Sequence, residues 1–557
     1  MQTVKRLYLY LMSGITLGVL AVGLRTVLLV LFDAIGLGRG DFIGGDPNAD
    51  RQQLSLAAAL IGVGLPVWAI HWWLAERGVR PGATHSDAER GSAVRALYLT
   101  VALAVLLTFA AAAGIELLRG VLQGILGGDS PEFLVPDAGG NLATLLVAGI
   151  AWAYHVSIRR RDMRAGPLAG AAAWLPRVYL YGAALAGILA LLQSVRNLVE
   201  VIGDTLLVPA GAVREPFAGG FQAASSLSVI GVSGVIWLGH WWYAGRLVRD
   251  ASWRGDSERP ARLRVAYYVG VVLFAVFSVI QLSAAAISAV LVPLVGASSS
   301  FGERVTGTDM ARVVGVSLVS AVPWAIAWWF HRAGLSNEAT ASGDPGRVTT
   351  AIRLDLHAAA LVGLGFGAVG FGWLLGMAVD VLFGGNRTLG DGFWRSELAM
   401  FVPMALIGSG VWLWRWWRIQ ARQAANAVAE ASSTVRRTYL LIILAASVIA
   451  SLSSAALVLY RFFGAILGAN LGGNTVAELS TPIGVLVVAG IVALYHGQVL
   501  RRDLALRAAE IPPEEATAGA AEAQRRLVLT GPPGSDLGTA LADIRADLPP
   551  GYRLDEG

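Results

Sequence analysis

Apolar runs alternate along the chain with short stretches rich in glycine, aspartate, proline or arginine. Residues 54–73, and 142–155 with their flanks, approach the ~20 residues that an α-helix needs to cross a ~30 Å hydrocarbon core. The runs come in pairs. The first of each pair opens on a basic residue, usually followed by tyrosine: Arg6/Tyr8, Arg95/Tyr98, Arg177/Tyr179, Arg264/Tyr267, Arg353/Leu356 and Arg437/Tyr439. A loop follows, then a second apolar run that ends in tryptophans and further arginines. The pattern predicts an all-α fold of two-helix transmembrane hairpins.

The ends of the second runs reveal an internal repeat, the feature to look for first in a long chain. Trp68-Ala69-Ile70-His71-Trp72-Trp73 returns as Trp237-Leu238-Gly239-His240-Trp241-Trp242. Looser copies end at His155, Ala327, Arg415 and His496, with successive separations of 84, 85, 87, 88 and 81 residues. Six hairpins at 1–82, 83–165, 166–252, 253–340, 341–426 and 427–505 give about twelve spans. A polar linker at 506–524 then leads to a 525–557 tail whose pattern predicts a small β-α-β appendage, with its helix at 536–547. The N-terminal run has no A-x-A cleavage pattern and is repeated later in the chain, so it reads as a retained helix rather than a signal peptide.

Basic hairpin starts, an outer loop and a second helix ending in Pro66-x-Trp68-x-x-His71-Trp72-Trp73-x-x-x-Arg77 resemble the bacterial membrane repeat known as domain of unknown function 5671. The resemblance covers about residues 1–505 and departs at Ala327 and Arg415. It implies the hairpin architecture and no activity, so it transfers no catalytic residue.

Composition agrees with a membrane protein. Of 557 residues, 55% are hydrophobic and 15% charged, with a mean hydropathy of +0.61; soluble proteins carry about 25% charged residues. Cysteine is absent, which removes disulfides and thiolate metal sites. Of the 43 basic residues, 32 fall between hairpins or at the termini and seven in the loops within hairpins. The positive-inside rule then places both termini in the cytoplasm of a bacterial inner membrane, with Asp41, Asp46, Asp129, Glu132 and Asp137 outside. The basic balance is thus a topology signal and points to no nucleic-acid partner.

Fourteen of the 18 tryptophans lie at the ends of second helices. Trp68, His71, Trp72, His155, His240, Trp241, Trp328, Trp416 and His496 are expected to form a cytoplasmic interface belt at the lipid headgroups. Haem or metal ligation by the histidines is the functional counterpart; with the residue missing from two copies, no cofactor is expected. Arg25, Glu116, Arg119, Arg196, Glu200 and Arg461 fall within first helices and are candidates for a polar vestibule, because an ionisable residue inside a span marks a functional site by default. Glu116–Arg119 and Arg196–Glu200 have i,i+3 and i,i+4 spacing and can pair on one helix face.

The amphipathic stretches 26–36, 120–127 and 197–203 predict breaks, with short outer helices lying along the membrane. Gly363-x-Gly365-x-Gly367 predicts close helix packing rather than a nucleotide loop. No catalytic motif stands out, so an enzyme is not expected. Three functions fit the sequence: a non-enzymatic scaffold touching membrane lipids and binding a protein partner through the cytoplasmic tail, a transporter or channel, and a membrane enzyme using Glu116 or Glu200 on lipid-linked substrates. Convergence of Gln193, Arg196, Asn197 and Gln281 on one water-filled space would favour the transporter.

Overall fold

The computed structural model describes residues 2–37, 47–80, 86–126, 138–207, 218–297, 307–383, 393–467, 475–510 and 537–546. Twelve of its helices are long and apolar enough to cross a membrane. They form six antiparallel hairpins: α1 (Gln2–Ala34) with α2 (Pro47–Arg77), α4 (Ala93–Leu126) with α5 (Ala138–Arg164), and α6 (Gly170–Leu207) with α7 (Ala218–Arg249). The remaining three are α9 (Arg262–Leu294) with α10 (Gly307–Ala341), α11 (Pro345–Phe383) with α12 (Phe393–Ala425), and α14 (Thr434–Ile466) with α15 (Thr475–Glu510).

The links between hairpins are of two kinds. Short helices α3 (Ser86–Arg90), α8 (Trp253–Glu258) and α13 (Ala427–Ala431) occupy the first, third and fifth links, whereas the second and fourth are short turns. The chain therefore repeats every two hairpins, as three four-helix units. In each unit the opening helix, α1, α6 or α11, packs on all three others. The units stand in an open row: α4 docks on α6 and α7, and α9 on α11 and α12, while among the described residues no helix of the first unit packs substantially on one of the third. The core lies in the middle of this row, where α6, α9 and α11 are the most enclosed spans.

The expected breaks in the first helices are absent. α1, α4 and α6 run unbroken through 26–34, 120–126 and 197–203. Proline is missing from those stretches, and in lipid a helix satisfies its own backbone groups whereas a break exposes them. The 33 residues of α1 extend about 50 Å at ~1.5 Å per residue, so tilt or protrusion takes up the excess over the bilayer. In the tail, the expected helix is observed as α16 (Leu537–Ala546); the expected strands and the outer-loop acids lie outside the described residues.

Glycine sets the packing of the third unit. A Cβ on Gly363 would stand 2.8 Å from the Trp412 backbone nitrogen, and one on Gly367 would stand 2.6 Å from Ser409 Oγ. Gly365, between them, faces open space. α11 thus meets α12 backbone against backbone, the arrangement small residues permit in membranes. On its other side, Gly372 and Gly376 meet Gly484 of α15 just as closely.

Candidate functional site

Each unit closes its arginine-rich end with the same set of parts. The opening helix contributes an arginine that binds a glutamate on the short connector. Arg6 Nε donates to Glu89 Oε1 at 2.9 Å, Arg177 Nε to Glu258 Oε2 at 2.8 Å, and Arg353 Nε to Glu430 Oε2 at 3.0 Å. This contact ties each connector to the opening helix of its unit.

A second arginine lies six residues beyond each of these glutamates and is almost fully buried: Arg95, Arg264 and Arg436. Its partner acid comes from the last span of the unit. Arg95 Nε donates to Asp162 Oδ2 at 2.7 Å, Arg264 Nε to Glu338 Oε2 at 2.8 Å, and Arg436 Nε to Asp503 Oδ2 at 2.7 Å. Further oxygens accept from each arginine: Tyr10 Oη from Arg95 at 2.9 Å, with Glu76 Oε1 in ion-pair contact 2.7 Å from Arg95 Nη2, Tyr181 Oη from Arg264 at 3.2 Å, and Gln420 Oε1 from Arg436 at 3.3 Å. Burying a charge is tolerable only when it is paired and its remaining protons are bonded. The equivalent of Arg95 and Arg264 is thus Arg436, which is enclosed, rather than its neighbour Arg437, which opens the sixth hairpin in the sequence pattern.

Histidines form the next layer. His71, His155, His240, His331 and His496 each place Nδ1 within 2.7–2.9 Å of the carbonyl four residues earlier. In a neutral ring this fixes the proton on Nδ1 and leaves Nε2 as an acceptor. Tyrosine hydroxyls then donate to Nε2 of His71, His155, His240 and His331, in two cases within chains that cross between hairpins. Trp152 donates to Tyr179 at 2.7 Å and Tyr179 reaches His240 at 3.1 Å; Trp237 donates to Tyr267 at 2.9 Å and Tyr267 reaches His331 at 3.0 Å. Ala327 is therefore not the fourth counterpart of the histidine. The counterpart is His331, one turn later, and it precedes Glu338 by seven residues just as His155 precedes Asp162 and His496 precedes Asp503. Matching the Trp-Ala-Ile strings aligned α10 one turn out of register. The missed acids had a signal in that constant seven-residue spacing.

The expected interface belt divides in two. His155, His496, Trp72 and Trp416 are buried, and Trp68, His71, His240, Trp241 and Trp328 are half-buried. Several of these rings bond to other helices: Trp72 donates to Tyr154 at 2.6 Å and Trp416 to Tyr495 at 2.6 Å. The outward-facing rings at these helix ends are Trp73, Trp242, Trp329, Trp414 and Trp417. Neighbouring residues on a helix point about 100° apart, so a tryptophan pair necessarily presents one ring to each side. Among the described residues, no group of three or more potential ligands could hold a metal ion.

The vestibule candidates do not converge. Arg25 Nε donates to Thr144 at 2.8 Å, Arg119 pairs with Glu116, and Arg461 pairs with Glu478. Arg196 binds Glu200 at 3.0 Å and Gln281 at 3.2 Å, with Gln193 bonded to Asn197 beside it. One local cluster thus brings the second unit's polar residues together, while the others stand apart on separate helices.

The third unit exchanges a tyrosine–histidine pair for an ion pair. Where the other units pair Tyr8 with His71 at 3.2 Å and Tyr179 with His240, it pairs Asp355 with Arg415 at 3.2 Å. Asp355→Tyr alone leaves the buried Arg415 short of a countercharge, and its expected cost is about 3–5 kcal/mol. Adding Arg415→His to it is expected to recover most of that loss. Unfolding in detergent micelles of both single variants and the double variant checks this. Equal instability of all three would show that the pairs are not interchangeable.

Fold and site together define an all-α, multi-pass membrane protein of three four-helix units. The family model for the domain of unknown function DUF5671 matches residues 6–150, 177–322 and 353–491, and the chain belongs to that family. Each match covers two hairpins, in step with the connectors α3, α8 and α13. No curated protein and no solved structure matches the chain.

Proposed function

We propose that the protein is a non-enzymatic scaffold of a bacterial inner membrane, with both termini and the arginine-rich helix ends in the cytoplasm. The observation that carries this reading is the local pairing of the charged residues within spans. A transport path draws such groups toward a shared site at the midplane, whereas here Arg25, Arg119, Arg196 and Arg461 each have a partner on the same or the adjoining helix. Support also comes from the repeated arginine–acid closures, which fix helices relative to one another, and from the arginine distribution, which sets the orientation. The tail beyond α15 is the proposed attachment point for a protein partner.

The alternative is a transporter, favoured by the Gln193–Arg196–Asn197–Glu200–Gln281 cluster. The full chain in sealed vesicles, assayed for ion conductance and uptake of small solutes, separates the two readings. Flux equal to that of protein-free vesicles is expected. Saturable flux that Arg196→Gln abolishes would replace the scaffold with a transporter.

A further inference from the structure

The junction of the first and second units holds a cavity of about 800 Å³, within the ~300–1,000 Å³ typical of ligand sites. α4 packs on both α6 and α7, and α5 and α7 line the two sides of the space above them. Its walls are almost wholly apolar, with Leu107, Gly114, Gly149, Val235 and Gly239 among them. At the arginine-rich end it leads, past the shared residues Arg160, Met163, Trp242 and Tyr243, into a second pocket of about 650 Å³. That pocket is lined by Arg160, Arg164, Arg246, Arg249 and Arg254 against a single acid, Asp250.

Asp250 already has Arg254 3.9 Å away, and the Ser252 side chain and then its backbone N–H hold its carboxyl below the usual range, so it stays ionised. The other four arginines make no ion pair among the described residues. Arg160 and Arg246 instead lie over the rings of Tyr243 and Trp242, at 5.7 and 4.9 Å. The corresponding junction of the second and third units differs. Its pocket of about 590 Å³ contains Arg332, Arg418 and Arg422, but Arg332 binds Asp355 at 3.0 Å and Arg422 binds Glu430 at 3.2 Å. Among the described residues, the first junction joins an apolar chamber to four arginines without acid partners, whereas in the pocket of the second Arg418 alone lacks one and lies over the Trp414 ring.

We propose that this junction is a binding site for an anionic phospholipid, with an acyl chain in the chamber and the phosphate on Arg160 and Arg246. A continuous apolar-to-cationic site at the end of a membrane span matches the two halves of such a molecule, and basic pockets between spans bind anionic headgroups. The proposal holds whether the protein is a scaffold or a transporter.

Native mass spectrometry of the full chain, with phosphatidylglycerol, phosphatidylcholine or glycerol 3-phosphate added in turn, tests it. The expected result is one phosphatidylglycerol retained in preference to phosphatidylcholine, with no comparable retention of glycerol 3-phosphate. At roughly a factor of five for each arginine near a headgroup, R160Q/R246Q should reduce the phosphatidylglycerol preference by roughly 30-fold. Gly149→Leu adds a side chain where a Cβ meets nothing within 4 Å; it should weaken retention of both lipids by filling the chamber and leave the arginines in place. Equal retention of the two lipids by the unaltered chain, a preference insensitive to R160Q/R246Q, or retention insensitive to Gly149→Leu would each overturn the proposal. Equal capture of glycerol 3-phosphate would reassign the site to a free phosphate compound.

Discussion

Arg436→Met is expected to destabilise the folded chain by about 3–5 kcal/mol, the cost of stranding a buried charge. Asp503, 2% exposed, has Arg436 as its cation. Met fills much of the volume of the arginine stem but offers the carboxylate no proton, so α15 must shift to hydrate Asp503 or the acid must take up a proton. R436M/D503L removes both charges, and an apolar pair of similar volume is often as stable as the ion pair it replaces. The double variant is therefore expected to recover most of the loss. Unfolding of the variants in mixed micelles, at matched detergent composition, measures the difference. A double variant no more stable than Arg436→Met would mean that the pair itself, rather than an orphaned charge, holds α14 to α15.

Gly484→Val should have the other large effect. A Cβ there runs into the Gly372 carbonyl oxygen and stands 2.6 Å from the Gly376 nitrogen. These are backbone atoms of α11, so no change of rotamer relieves the overlap. Overpacking costs typically about 1–3 kcal/mol and more where the backbone has to move, and at Gly484 it has to. Gly490→Val, on the same helix but with nothing within 4 Å of its Cβ, is the matched control and should be near neutral. Thermal unfolding of both variants in one detergent tests the pair. Similar midpoints would mean that α15 is not held against α11 by backbone contact. The absence of cysteine also allows an engineered disulfide to monitor the spacing of these helices without background.

The spans were the most legible part of the fold, because length and hydropathy alone specify a helix in lipid. The local pairs Glu116–Arg119 and Arg196–Glu200 were equally accessible, since they depend on spacing along one helix. Contacts between helices were harder to see. Arg95 and Asp162 are 67 residues apart, and only alignment of the three units shows that an arginine and an acid recur together. The same limit explains the shifted assignment in α10: the Trp-Ala-Ile string fits one turn early, and only the distance to the acid at Glu338 identifies His331. The tryptophans were assigned to the lipid boundary by residue type, which cannot tell the inward Trp72 from the outward Trp73.

The open row has a consequence for the number of units. A ring would be breached by losing or gaining one member, but a row with nearest-neighbour contacts gains or loses one end interface at a time, as in solenoid arrays. Each unit brings an even number of crossings, so a shorter or longer array returns the chain to the same side of the bilayer. Chains of this architecture can therefore lengthen or shorten by duplication or deletion, and the cost is confined to the terminal helix faces.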